Sequence, residues 1–249
     1  LMKVAQLSAT ILDLLPPEYV EELSQLQSNA PPMGWLFVKR RMKAELGVNW
    51  QKKFNIFGKE ASKAASLGQV HKAELPDGDK VACKLQYPDM ASAVKADLSQ
   101  LKLIFLIYQS YNKAIKTDDV YVEISQRLTE ELDYEREKKL TKVFSKIFEK
   151  VSYVHIPKPN EKLSTKKLLT MTWLEGQSIL KFKKEKKEIR NNIAKNMFYT
   201  WYKPFYEYGI IHGDPHLGNY TVKNDYSINL FDFGCMRVFN GKFIQGVID

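Results

Sequence analysis

Ile211 to Gly234 reads IHGDPHLGNYTVKNDYSINLFDFG, and the reading of the whole chain turns on it. Three groups able to handle a metal-bound phosphate, Asp214, Asn219 and Asp232, fall close together here. Pro215 and Gly218 interrupt any regular element between Asp214 and Asn219, so that backbone is a loop, and loops held on a rigid scaffold are where sites are built. Tyr220 to Phe233 alternates apolar and polar residues around Lys223-Asn224-Asp225, which reads as a short hairpin returning Asp232 to the side of that loop. A carboxylate with a side-chain amide offers a divalent ion hard oxygen ligands without overcharging the site. Asp232 is therefore expected to bridge metal and phosphates. Asn219 is expected to hold or orient a metal, and Asp214 to orient or deprotonate an attacking hydroxyl or water.

D-F-G alone is a common turn tripeptide, and D-x4-N alone is equally weak. In this order, with a hairpin between them, they match the catalytic and metal-binding loops of protein kinases. Upstream, Ala64-Ala65-Ser66-Leu67-Gly68-Gln69-Val70-His71 is rich in small residues and runs into Val70 to Leu75. The turn Pro76-Asp77-Gly78-Asp79 and then Val81 to Leu85 follow, giving strand, loop, strand, turn, strand. A kinase-like amino-terminal lobe covers the phosphates with its first loop and contacts them with a lysine on its third strand. Lys84, in V-A-C-K, stands at that position. A lysine in a half-buried strand needs a carboxylate partner. The run Glu130-Glu131-Leu132-Asp133-Tyr134-Glu135-Arg136-Glu137 lies in what reads as one helix, Val120 to Phe148. Such a run is ordinarily surface charge paired with lysines such as Lys138, Lys139 and Lys142; the alternative is that one member turns inward to Lys84. On one helix Glu131 and Glu137 would point about 120° apart and meet different partners.

The 249 residues are 44% apolar, enough for one large domain or two small lobes. No apolar run is long enough to span a bilayer, and no secretory pattern opens the chain. Leu1 rather than Met at the start reads as a piece of something longer. Cys83 and Cys235 lack metal-ligand spacing, which fits a reducing interior. His212 and His216 flank Asp214 without a third ligand nearby and read as structural. The net charge of +9 favours anionic partners; ATP, an acidic membrane face and nucleic acid all qualify by charge. The run Lys181 to Lys187 contributes much of it and reads first as a solvated face.

Apolar periodicity predicts helices over Leu1 to Leu15, Glu18 to Gln27 and Trp35 to Leu46, the last stopped by Gly47. A long helix is expected from Ala91 to Tyr111, with strands at Val151 to Pro157 and Lys167 to Trp173. Trp173-Leu174-Glu175-Gly176 reads as a hinge whose extended backbone could bond an adenine. Ser178 to Lys187 reads as a short basic helix. Ile193 to Tyr208 reads as an aromatic helix kinked or ended near Pro204; such a stripe is usually core, with a lipid-facing role the minority reading.

Taken together, LMKVAQ, AASLGQVH, VACK, EELDYERE, HGDPHLGN and DFG resemble the UbiB-type (AarF) atypical kinase-like family, which is linked to ubiquinone biosynthesis. The resemblance covers essentially the whole chain. It implies an α+β, protein-kinase-like bilobal fold: residues 1–50 a helical extension, 51–175 an N-lobe of antiparallel sheet with inserted helices, and 176–249 an incomplete C-lobe. It implies ATP and Mg²⁺ as cofactors. Lys3 and Gln6 match the K-x-G-Q element of an extension folded over the site, Ala64, Ala65 and Ser66 the alanine-rich loop, Glu131 and Asp133 the E-x-D element that meets the extension's lysine. Glu137 matches the partner of Lys84. The implied activity is that of an ATPase or small-molecule kinase supporting quinone-lipid synthesis, the rivals being a serine/threonine protein kinase and a catalytically dead nucleotide-binding scaffold. The implied partners are a nucleotide, a membrane lipid or quinone precursor and proteins of a biosynthetic complex, with no nucleic acid. The implied location is cytoplasmic, peripheral at the inner membrane face. Three features depart from the family pattern. Ala5 replaces the glycine of K-x-G-Q, Lys63 adds a charge beside the alanine run, and the chain stops fifteen residues after Gly234, as a fragment would.

Overall fold

Trp35–Leu46 forms helix α1 because Val38 and Met42, one turn apart, both bury completely, and Gly47 ends it at φ 86, a conformation that side chains disfavour. The structure, a computed structural model, describes residues 32–65, 67–111, 117–214 and 216–248. The helices expected over Leu1 to Leu15 and Glu18 to Gln27, with Lys3 and Gln6, lie outside the described residues, as does Ser66.

The fold is α+β and kinase-like. Its amino-terminal sheet is antiparallel and five-stranded. The long hairpin β3 (Gly68–Glu74) and β4 (Lys80–Gln86) forms its centre, joined through a turn in which Gly78 takes φ 90. The short strands β1 (Ile56–Phe57) and β2 (Lys63–Ala65) lie end to end along the free edge of β3. Strand β6 (Leu168–Thr172) pairs with the other edge of β4. Alternation in β4 sends Val81, Cys83 and Leu85 into a core with α1, Trp50 and Phe54. Ala82 and Lys84 therefore face the opposite side, toward the cleft.

Helix α2 (Met90–Tyr111) packs on α3 (Thr117–Leu132) through Val94, Leu101, Phe105, Ile124 and Leu128. The single helix expected from Val120 to Phe148 is two, because Asp133 breaks it and opens α4 (Tyr134–Ile147). Its carboxylate accepts a hydrogen bond from the Arg136 amide at 2.9 Å, an N-cap, and Glu135 and Glu137 fill the acidic first turn that such an end favours. Glu131 thus ends one helix and Glu137 begins the next. The angle expected between them on a single helix therefore does not apply.

The carboxyl-terminal part carries a four-stranded sheet in the order β5 (Val154–His155), β10 (Ile228–Leu230), β9 (Tyr220–Val222), β7 (Gln177–Ser178). A two-stranded pair lies beside it, β8 (Ile210–His212) with β11 (Met236–Val238). Strand β5 runs parallel to β10, so this segment, although it precedes the hinge, belongs to the carboxyl-terminal sheet. The hairpin expected from Tyr220 to Phe233 is present as β9 and β10 in antiparallel register. The basic run forms a 3₁₀ turn, Ile179–Lys184. Helix α5 (Lys187–Tyr208) passes through Pro204 instead of stopping there, and ends one turn later at Gly209, which takes φ 68. The last described helix is α6 (Gly241–Ile248).

Helix α4 joins the two halves. Tyr134, Glu137, Thr141 and Phe144 bury along one stripe: Tyr134 and Glu137 beside β4, Phe144 in the carboxyl-terminal core with Ile228, Leu230 and Phe233.

Candidate active site

Lys84 is the centre of the cleft. Its ammonium donates to both oxygens of Glu137, at 2.8 and 2.9 Å, and lies 3.6 Å from Asp232 Oδ1. The Tyr134 ring adds a third neighbour, its centroid 5.2 Å from Lys84 Nζ. Burial works against the Lys84 charge, but the carboxylates of Asp232 and Glu137 outweigh it and hold the ammonium well above the ordinary lysine value. Glu137 is nearly sealed from solvent, and burial pushes it up to about 7 against the pull of Lys84. Residues distant in sequence thus meet here because β4, α4 and the D-F-G segment converge.

Asp232 departs from the hairpin with φ 59, a left-handed conformation rare for a residue other than glycine and associated with sites that hold a side chain in place. Its neighbour Phe233 is buried against Phe144, ring centroids 5.1 Å apart, and so anchors the turn. Gly234 closes it, its amide donating to Asp232 Oδ1 at 3.4 Å.

Asp214 and Asn219 lie at opposite ends of the intervening loop and are tied together. Asn219 Nδ2 donates to the Asp214 carbonyl at 3.2 Å and to its Oδ2 at 3.1 Å. The amide nitrogen being committed, the Asn219 side-chain oxygen is the atom left to serve a cation. His212 and His216 are the structural members of this loop. The Asp214 amide donates to His212 Nδ1 at 3.2 Å, so the ring proton sits on Nε2 and is given to the Phe231 carbonyl at 3.2 Å. His216 accepts from the Gly218 amide at 3.0 Å.

One carboxylate and one amide oxygen, with phosphate oxygens and water completing the shell, suit Mg²⁺, which seldom takes an all-protein cage. Among the described residues there is no cluster of three or more His, Cys, Asp and Glu able to hold a metal by itself. The donor set therefore fits a cation brought in with a phosphate ligand.

The other expected positions are distributed around this centre. Ala64 and Ala65 stand in β2, opposite Gln69 and Gly68, so the alanine run belongs to an edge strand folded back on β3. Glu131 lies at the end of α3 beside the glycine of D-F-G: a Cβ on Gly234 would be 3.9 Å from its Cα. Asp133 is exposed and spends one carboxylate oxygen on the α4 cap. The contacts of three basic residues are absent from the sequence reading. Arg136 Nη1 donates to the Gly234 carbonyl at 2.7 Å and its Nη2 pairs with Glu130 at 3.2 Å. Arg127 Nη1 meets Cys235 Sγ at 2.8 Å. Lys63 reaches the Gly218 carbonyl at 2.7 Å. Only the acidic first turn after Asp133 carried a local signal, and it pointed to the cap rather than to these long-range contacts.

Similar proteins place the chain. Residues 25–249 match the model of the ABC1 atypical kinase-like domain. The mitochondrial atypical kinase COQ8 of Saccharomyces cerevisiae is 32% identical over 232 residues, covering 93% of this chain and 46% of the relative. The chloroplastic protein ACTIVITY OF BC1 COMPLEX KINASE 7 of Arabidopsis thaliana is 35% identical over 240 residues, covering 94% of this chain and 34% of the relative. The chain thus spans less than half the length of either. Among solved structures, the complex of Rv3197 with erythromycin from Mycobacterium tuberculosis superposes with a TM-score of 0.74 at 27% identity, covering 94% of this chain and 60% of that one. With one family model matched over nearly all its residues, the chain belongs to the ABC1 atypical kinase-like family.

Proposed function

We propose that this chain binds ATP with Mg²⁺ and hydrolyses it, or passes its terminal phosphoryl group to a small molecule, in support of ubiquinone or related quinone-lipid synthesis. The observation that carries this reading is Lys84, set between Glu137 at 2.8 Å and Asp232 at 3.6 Å in one cleft with the Asp214–Asn219 loop. In kinases this lysine–glutamate pair and the D-F-G aspartate must both be in place for phosphoryl transfer.

Each residue has a role in that chemistry. Glu137 aims Lys84 at the inner phosphates. Asp232 and Asn219 would hold Mg²⁺, which when bound neutralises charge on the β- and γ-phosphates. Asp214 orients the attacking water or hydroxyl. The backbone from Trp173 to Gly176 would offer the base the groups left after the Trp173 amide bonds to the Lys80 carbonyl and the Glu175 carbonyl accepts from Asn229. The proposal includes a peripheral place at a membrane. Among the described residues no helix is long and apolar enough to cross one, while α2 leaves Leu103, Ile104, Leu106 and Ile107 more than half exposed.

ATP turnover measured with phenol or anionic vesicles as activators tests the assignment. Asp232→Asn should lower it at least about a hundredfold; full turnover in that variant rejects the metal role. Phosphorylation across a peptide array would instead identify a protein kinase. Thermal stabilisation by ATP without turnover would identify a scaffold. Lys3 and Gln6 are proposed to cap the site against Glu131 and Asp133; unchanged turnover and unchanged protein-substrate range in Lys3→Ala would remove that role.

A further inference from the structure

Lys63, Val70 and Lys84 stand opposite one another on three adjacent strands, Lys63 with Val70 across β2 and β3, Val70 with Lys84 across β3 and β4. Directly opposed residues in antiparallel strands project to the same face. The two lysines therefore flank Val70 on the face that looks into the cleft, two strand spacings or about 10 Å apart at their Cα atoms. From there the Lys63 ammonium crosses the cleft to the Gly218 carbonyl, 2.7 Å away, immediately before Asn219. Its charged neighbours are those of the site itself. Partial burial of the ammonium lowers its pKa below the ordinary lysine value, Asp232 opposes that shift, and Lys84 adds to it.

We propose, on the reading that this cleft binds a nucleoside triphosphate, that Lys63 is a second phosphate-binding lysine, exchanging the Gly218 carbonyl for an oxygen of the outer phosphates while Lys84 takes the inner ones. The carbonyl is a neutral acceptor, and a bond from an ammonium to a phosphate oxygen, charged at both ends, is the stronger of the two. Gly218 belongs to the loop of Asp214 and Asn219, so the cation parked there is already at the end of the site where the terminal phosphate reacts. A triphosphate carrying one divalent ion is still a dianion, and with the Lys84 charge already shared with Glu137 and Asp232, Lys63 is the added cation that favours the anion on this face.

Calorimetric titration of the full chain with MgATP, MgADP and adenosine tests the assignment in wild type, Lys63→Ala, Lys63→Arg and Lys84→Met. Lys63→Ala should weaken MgATP about tenfold, weaken MgADP less and leave adenosine unchanged. Lys63→Arg, which keeps the charge, should retain most of the MgATP affinity. If wild type binds MgATP but Lys63→Ala binds it equally well or more tightly, Lys63 is no phosphate ligand and the proposal fails alone. An equal loss for adenosine and MgATP would make Lys63 only a brace between the lobes, and also overturns it. A wild type that binds neither MgATP nor adenosine removes the nucleotide reading, and this proposal with it.

Discussion

Lys84 and Glu137 stabilise each other only as a pair, and that has two measurable consequences. Lys84→Met leaves a carboxylate in a nearly dry site and should cost roughly 3 kcal/mol in urea unfolding, because removing one partner of a buried pair exposes the full desolvation penalty of the other. Adding Glu137→Leu should restore most of that stability but no ATP turnover, which separates the structural role of the pair from its chemistry. The second consequence concerns pH. Glu137 is raised from an ordinary 4.5 to about 7, so the folded protein keeps a proton that the unfolded chain has already released. Its contribution is therefore fully present below about 4.5 and is lost as pH rises toward about 7. Wild type should lose stability relative to Glu137→Gln across that window and run parallel to it above. A flat difference from pH 4 to pH 8 would contradict the burial of this carboxylate.

Among the elements, α4 shows how far local sequence can be read. Apolar periodicity continues on both sides of Asp133, through Ile124 and Leu128 before it and Leu140 and Phe144 after it, and so suggested one helix. The capping chemistry that divides it is local: an aspartate followed by two first-turn glutamates. Asp133→Ala should destabilise the protein by about 1 kcal/mol and lower its melting temperature accordingly. The hairpin of β3 and β4 was legible because its turn residues and alternation are short-range signals, as were α1 and its stop at Gly47. The closeness of β3 to α4 was not. A Cβ on Gly68 would run into the Leu85 carbonyl and approach the Tyr134 hydroxyl to 2.9 Å. Gly68→Ala should therefore cost about 1–3 kcal/mol as overpacking, seen as a lower urea midpoint without a change in slope.

For the molecule as a whole, α4 and Arg136 carry the connection between the halves of the cleft. The Arg136 guanidinium holds the Gly234 carbonyl at 2.7 Å, so the helix that supplies Glu137 also positions the segment following Asp232. Arg136→Ala should speed hydrogen exchange of the 233–236 amides while leaving β3 and β4 unchanged; equal acceleration in both would mean general loosening instead. The order Lys84, Asp214, Asn219, Asp232 was readable because each side chain sits in a short motif whose chemistry is local, whereas Glu137 was named only through the family resemblance. Sequence also carried the kinase-like class, through the match of D-x4-N and D-F-G to kinase loops and the family resemblance, while alternation and turn residues marked the hairpin between those motifs and the strand bearing Lys84. From the residues alone the carboxylate that meets Lys84 stayed open and the tertiary structure decided it, because Glu137 is 53 residues away and its direction depends on the break at Asp133. The same holds for Lys63 and Gly218, 155 residues apart. Contacts across a cleft depend on how packed elements converge, and neither propensity nor periodicity along the chain carries that information.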